Sequence, residues 1–209
     1  MGFGGTGNHR VFSIKDREYH KPKAFGFFAV KTAHELATGM TSDWLSDENC
    51  KKKLFAFIKQ RPSVLQLQLV ALLVATHYVY AANILRVPQD VLSDVREGIA
   101  DGINALMNNK ATSDFSNMMQ VSIANYVQAI GQEMANPLAE SGTVSPHVDS
   151  PSVTLSVLMA KSYDPEAYDK IAQDPGFFLE EMFLNHLVAD AWVNLMTGLQ
   201  EGAQLKFVP

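Results

Sequence analysis

The chain has 209 residues, 47% of them hydrophobic and 19% charged, which excludes a disordered chain and supplies a core needing no disulfide or metal staple. Its net charge of −5 is unevenly spread: residues 1–61 hold 11 Lys/Arg against 6 Asp/Glu (+5), and residues 62–209 hold 6 against 16 (−10). The overall acidity argues against strong nucleic-acid binding, whereas the polarity either attracts an anionic partner or a second copy of the chain, or is neutralised across the fold.

Residues 1–21 are glycine-rich and basic. Gly2, Gly4 and Gly7 match the spacing of a dinucleotide-binding loop, but only Met1 precedes them, so no strand feeds the turn and the match is read as accidental. The Met-Gly start with Thr6 also fits an N-myristoylation signal, a spacing that flexible glycine leaders imitate. Residues 1–8 lack the basic-then-apolar order of a secretory signal, and none is expected. Residues 10–14 and 204–208 suit a minor β pairing of the termini.

Helical signals fill the rest. Pro22 opens a helix through Phe25, Phe28, Ala33 and Leu36, and Gly39 is expected to stop it. Ser46 is the expected N-cap of a second helix reaching Lys59 and Arg61, with Asp47 and Glu48 in its first turn and Leu45 and Cys50 spaced as a hydrophobic staple. Lys51, Lys52 and Lys53 on this helix form a basic cluster, a candidate interaction surface. Cys50 is the single cysteine; it cannot form an internal disulfide, and a reducing, cytoplasmic location is expected.

Pro62 and Pro88 bracket the most apolar helix, expected over about 64–87. Residues 69–85 approach the ~20 apolar residues of a membrane span. Thr76, His77, Tyr78, Tyr80 and Asn83 interrupt the stretch, and Gln66 and Gln68 precede it, so a buried central helix is predicted instead. After Pro88, the apolar residues Val91, Leu92, Val95, Ile99, Ile103 and Leu106 recur at helical spacing, and Gly98 and Gly102, four apart, predict the close approach of a neighbour. Residues 108–110 read as a turn. Thr112 or Ser113 then caps a helix using Phe115, Met119, Tyr126, Ile130 and Met134, ended by Pro137.

Residues 136–151, with Pro137, Gly142, Pro146 and Pro151, form the one irregular segment, suited to a mobile loop or partner surface. Val153, Leu155, Val157 and Met159 alternate as in a strand, yet Ser150-Pro151 is a helix-start signal, and a helix is favoured. Asp164-Pro165-Glu166 and Asp174-Pro175 open two more, the last spanning about 175–199. The expectation is an all-α, single-domain bundle of roughly eight helices.

No motif specifies a chemistry. There is no Gly-x-Ser-x-Gly elbow, no Glu-x-x-His pair and no His-x-x-x-His. No cofactor is indicated. On a helical wheel His77 shares the most apolar face of helix 64–87 with Val70, Leu73, Tyr80, Ala81 and Ile84, which predicts a buried, neutral imidazole. Tyr80 and Asn83 are its candidate polar companions. In the last helix Glu181 and Asn185 fall inside an apolar arc, where a carboxylate must be paired, protonated or at a boundary. His186 and Asp190, four apart, have ligand-like spacing, with His34 as the candidate third ligand, although a solvent-facing ion pair has the same spacing.

The leading functional expectation is a non-catalytic interaction or regulatory protein, acting through an apolar or charge-polarised surface on a protein partner, itself as a homodimer included. Its 9 Met and 12 Phe suit adaptable apolar surfaces. The alternative is a small-molecule or metal-binding helical protein, an enzyme among the options, with a pocket between helices 64–87 and 175–199; its candidate residues are His77, Glu181, Asn185, His186 and Asp190, with Tyr80 and Asn83 beside His77.

Overall fold

The structure, a computed structural model, describes residues 10–107, 112–134, 157, 159–161, 165–172 and 177–209. The expectations for Gly2, Gly4, Gly7, the 108–110 turn and the 136–151 loop lie outside them. The protein is all-α with a minor sheet, as its helical periodicity predicts. The strands are β1 (Val11–Ile14), β2 (Glu18–His20) and β3 (Lys206–Val208). The helices are α1 (Pro22–Ser46), α2 (Glu48–Lys53), α3 (Ala56–Gln60), α4 (Pro62–Val79), α5 (Gln89–Leu106), α6 (Ser113–Met134), α7 (Pro165–Ile171) and α8 (Phe177–Thr197).

The termini pair as expected: β1 is antiparallel to β3, with Phe12 opposite Phe207. The sequence reading missed β2, which extends the sheet to the order β2-β1-β3. The hairpin lacks the usual Asn-Gly signal, because Lys15 and Asp16 take the left-handed positions, both at φ 52°. Lys206 Nζ donates to Asp16 Oδ2 at 2.8 Å and the Lys15 amide to the Ala203 carbonyl at 2.9 Å, so β3 holds the turn. Phe12 drops from the sheet onto α1, its ring stacked 3.9 Å from that of Phe25.

Helix α1 runs through Gly39 to Ser46, a correction to the expected stop. Met40 and Trp44 pack against the core beyond the glycine, and that burial outweighs one helical glycine's cost of about 1 kcal/mol. Ser46 therefore belongs to α1, and Asp47 is the cap: its Oδ1 accepts from the amides of Asn49 (2.7 Å) and Cys50 (3.0 Å). The shift of one residue removes the staple spacing of Leu45 and Cys50. The expected single helix is also divided. Leu54 and Phe55 are extended between α2 and α3, and both side chains are fully buried there.

Helix α4 is the centre. Every residue from 68 to 81 is buried, so the helix has no solvent face, and α1, α6 and α8 pack around it. By length and composition Pro62–Ile84 could cross a membrane, but 83% of that window is buried inside the protein. Three of its polar residues find partners within the fold. Gln66 Nε2 donates to Thr38 Oγ1 of α1 (2.7 Å), Tyr126 of α6 donates to Gln68 Oε1 (3.0 Å), and Thr76 Oγ1 donates to the Leu72 carbonyl (2.9 Å). The helix ends in a π-wound turn, Tyr80–Ile84, and Arg86 at φ 53° turns the chain toward Pro88.

Helix α5 lies against α1 with backbone on backbone. A Cβ on Gly26 would stand 2.1 Å from the Val95 carbonyl oxygen, and one on Gly98 1.9 Å from that of Lys23. At Gly102 it would meet Val30 Cβ at 2.8 Å. The expected role of Gly98 and Gly102 is thus borne out, with Gly26 as their partner across the seam.

Candidate functional site

His77 occupies the buried position expected of it, 1% exposed. Its Nδ1 lies 2.8 Å from the Leu73 carbonyl, a contact that requires Nδ1–H to donate and leaves Nε2 as a bare acceptor. Nε2 has no hydrogen-bond partner among the described residues. Burial, opposed by the Leu73 bond, lowers its pKa from 6.5 to about 4, so the ring is neutral at physiological pH. Its ring lies 6.4 Å from that of Phe25 on α1. Tyr80 is buried with it, whereas Asn83, on the π-wound turn, is exposed to solvent. Asn83 is therefore not part of a buried polar lining around His77.

On α8, Glu181 is paired. The Tyr168 hydroxyl of α7 donates to its Oε1 at 2.8 Å, and burial followed by this bond raises the Tyr168 pKa. The pairing accounts for a carboxylate on an apolar arc. Among the described residues, Asn185 Oδ1 and Trp192 Nε1, further along α8, are buried without hydrogen-bond partners. His186 and Asp190 form an exposed i,i+4 ion pair at 3.4 Å, with 71% and 58% of their side chains in solvent. His34 lies elsewhere, lining a 280 Å³ recess between α1 and α5 with Phe27, Gly102 and Leu106. Among the described residues no group of three or more His, Cys, Asp or Glu side chains could hold a metal ion, so His34, His186 and Asp190 are not brought together.

The three lysines of α2 are exposed but not equivalent. Lys51 is 3.8 Å from Glu48, and Lys53 reaches over the Phe183 ring of α8 at 5.2 Å. One lysine thus ties α2 to α8 through its cation and stem. The Cys50 thiol is half-buried, and burial with the nearby Asp47 charge raises its pKa, away from reactivity.

Two features escaped the sequence reading. The first is the outer face of α6. Residues 115–132 contain no charged side chain, and Met118 and Val121, one turn apart, are 44% and 59% exposed. The second is a recess of about 370 Å³ where α4, α5 and α6 meet. Tyr78, Arg96, Ile99, Gln120, Ile123, Ala124, Val127 and Gln128 line it. Arg96 Nε donates to the Tyr78 hydroxyl at 2.8 Å, and its guanidinium carbon lies 5.2 Å from the Tyr78 ring centre. The charge-free run was legible in the sequence; the meeting of Tyr78 and Arg96 was not. Compared with protein-family models, with curated proteins and with solved structures, the chain matches none.

Proposed function

We propose that the protein is a non-catalytic interaction protein that self-associates through the outer face of α6. The observation carrying this reading is the charge-free run of residues 115–132 with Met118 and Val121 exposed on it. Interface cores are depleted in charge and enriched in Met. A second copy is the favoured occupant because a twofold interface brings a surface patch against itself. A face without charge places no like charges across the axis and leaves none to desolvate. Phe27, exposed on α1, shares its recess with Lys31 and Glu35 and lacks this property. A reducing, cytoplasmic setting fits the lone Cys50.

Light scattering should give twice the 23.0 kDa chain mass, and Met118→Lys with Val121→Lys should return it to the single-chain value. A wild-type monomer, or a dimer indifferent to both lysines, overturns the reading. A second reading, a small-molecule protein with its site between α4 and α8, draws on the unpartnered Asn185 Oδ1 and Trp192 Nε1.

A further inference from the structure

We infer that the recess between α4, α5 and α6 is a binding site for a single-chain amphiphile with a carboxylate head, held by Arg96 and Tyr78. The proposal is independent of self-association through α6.

The volume and the walls indicate an apolar body. About 370 Å³ lies within the range of about 300–1,000 Å³ typical of small-molecule sites. Ile99 from α5 and Ile123, Ala124 and Val127 from α6 line it, with no carboxylate among the lining residues. The polar groups indicate the head. Arg96 has no ion pair among the described residues, and its Nε is spent on Tyr78, so both terminal nitrogens remain free to donate. The Tyr78 hydroxyl accepts from Arg96 and keeps its own proton for another acceptor. The ring contact and the Nε bond together fix the plane of the guanidinium before any ligand arrives. A fixed, singly charged fork of donors beside an apolar wall is matched by one carboxylate on a hydrocarbon chain. A phosphate monoester would bring a second charge with no second cation to meet it.

Two further recesses among the described residues lack this excess of donors. Arg10 and Lys21 share theirs with Asp90 and Asp94, and Arg10 is bonded to Asp90. In the recess beside His34, Lys31 stands 4.0 Å from Glu35.

The test is calorimetric titration of the full chain with octanoate, decanoate and dodecanoate below their micellar concentrations, and with decanol and decylammonium. Affinity should rise roughly fourfold per added methylene until the recess is full. Decanoate should bind about tenfold more tightly than decanol, and decylammonium more weakly than either. Arg96→Met should reduce decanoate to the level of decanol and leave decanol unchanged; Arg96→Lys should retain part of the preference. Ala124→Leu, which fills the recess from its rim, should weaken both. The Met118→Lys, Val121→Lys variant should bind decanoate as the wild type does. Equal binding of decanoate and decanol, an Arg96→Met variant unchanged toward decanoate, or no saturable binding by the wild type would each overturn the proposal.

Discussion

The two flanks of α5 are packed on opposite plans. Toward α1 the helix presents Gly98 and Gly102, and the backbones meet with no room for a single Cβ. Toward α6 it presents Arg96 and Ile99, and about 370 Å³ stays open. A helix built only for stability would close both sides, since interiors approach crystalline density and open volume forfeits dispersion contacts. The closed flank accepts the entropic cost of glycine for a rigid joint, and that joint fixes the position of the open flank. Lys23 adds bonds across the seam to Glu97 (2.5 Å) and Asp101 (3.0 Å), but all three side chains are about half exposed and contribute little. Backbone fit carries the joint.

The most direct way to break the contrast is to add one carbon to the closed flank. Gly98→Ala places a Cβ 1.9 Å from the Lys23 carbonyl oxygen, and Gly26→Ala one 2.1 Å from that of Val95. Neither oxygen can rotate away as a side chain can, so the helices must separate and the surrounding core must follow. Each substitution should cost about 3 kcal/mol or more in urea unfolding. Gly102→Ala meets a side chain instead, Val30, and should cost less. A Gly98→Ala variant within about 1 kcal/mol of wild type would show that the flank is not closed.

Nearly as large an effect is expected at the other side of α1, where Phe25 covers His77. The folded-state pKa of about 4 lies below the unfolded value of 6.5. Between these values the unfolded chain binds a proton that the folded chain refuses, so stability is full above about pH 6.5 and falls as pH drops toward 4. The loss attributable to this one group is on the order of 3 kcal/mol at pH 4. His77→Leu removes it. Unfolding midpoints near pH 7 and near pH 4 should therefore converge in the variant by that amount, and parallel profiles for the two proteins would mean that His77 is not buried as a neutral ring.

The sequence disclosed most of the secondary structure because proline, capping residues and apolar period agree with one another. Pro62 and Pro88 bracket α4 and its π-wound end, and Thr112 caps α6 by accepting from the Phe115 amide at 3.2 Å. Failures came where tertiary burial overrode a local signal. Leu54 and Phe55 broke a helix to reach the core, and β2 formed without turn residues because β3 supplied its support. The candidate site was legible only in halves. Burial of His77 follows from its helical face, and the charge-free stretch of α6 can be read directly. Arg96, by contrast, looks like any exposed helix arginine until Tyr78, 18 residues earlier, is placed beneath it. Likewise the pairing of Glu181 depends on Tyr168, which belongs to another helix.

Gly39 sharpens the comparison from its smallest side. In sequence it resembles a helix stop at least as well as Gly98 resembles a packing contact. In the fold it lies inside α1, on the exposed side, with nothing within 4 Å of the place a Cβ would take. Glycine there adds unfolded-state entropy and supports no close approach. Gly39→Ala should therefore stabilise the protein by about 0.5–1 kcal/mol, with no change in the far-ultraviolet circular dichroism. Gly98→Ala is the same chemical change on a helix packed against the same α1, and it is expected to act in the opposite direction and at least three times more strongly. If the two variants instead shift the unfolding midpoint alike, helix propensity rather than backbone contact governs both sites, and the distinction between the flanks of α5 loses its physical basis.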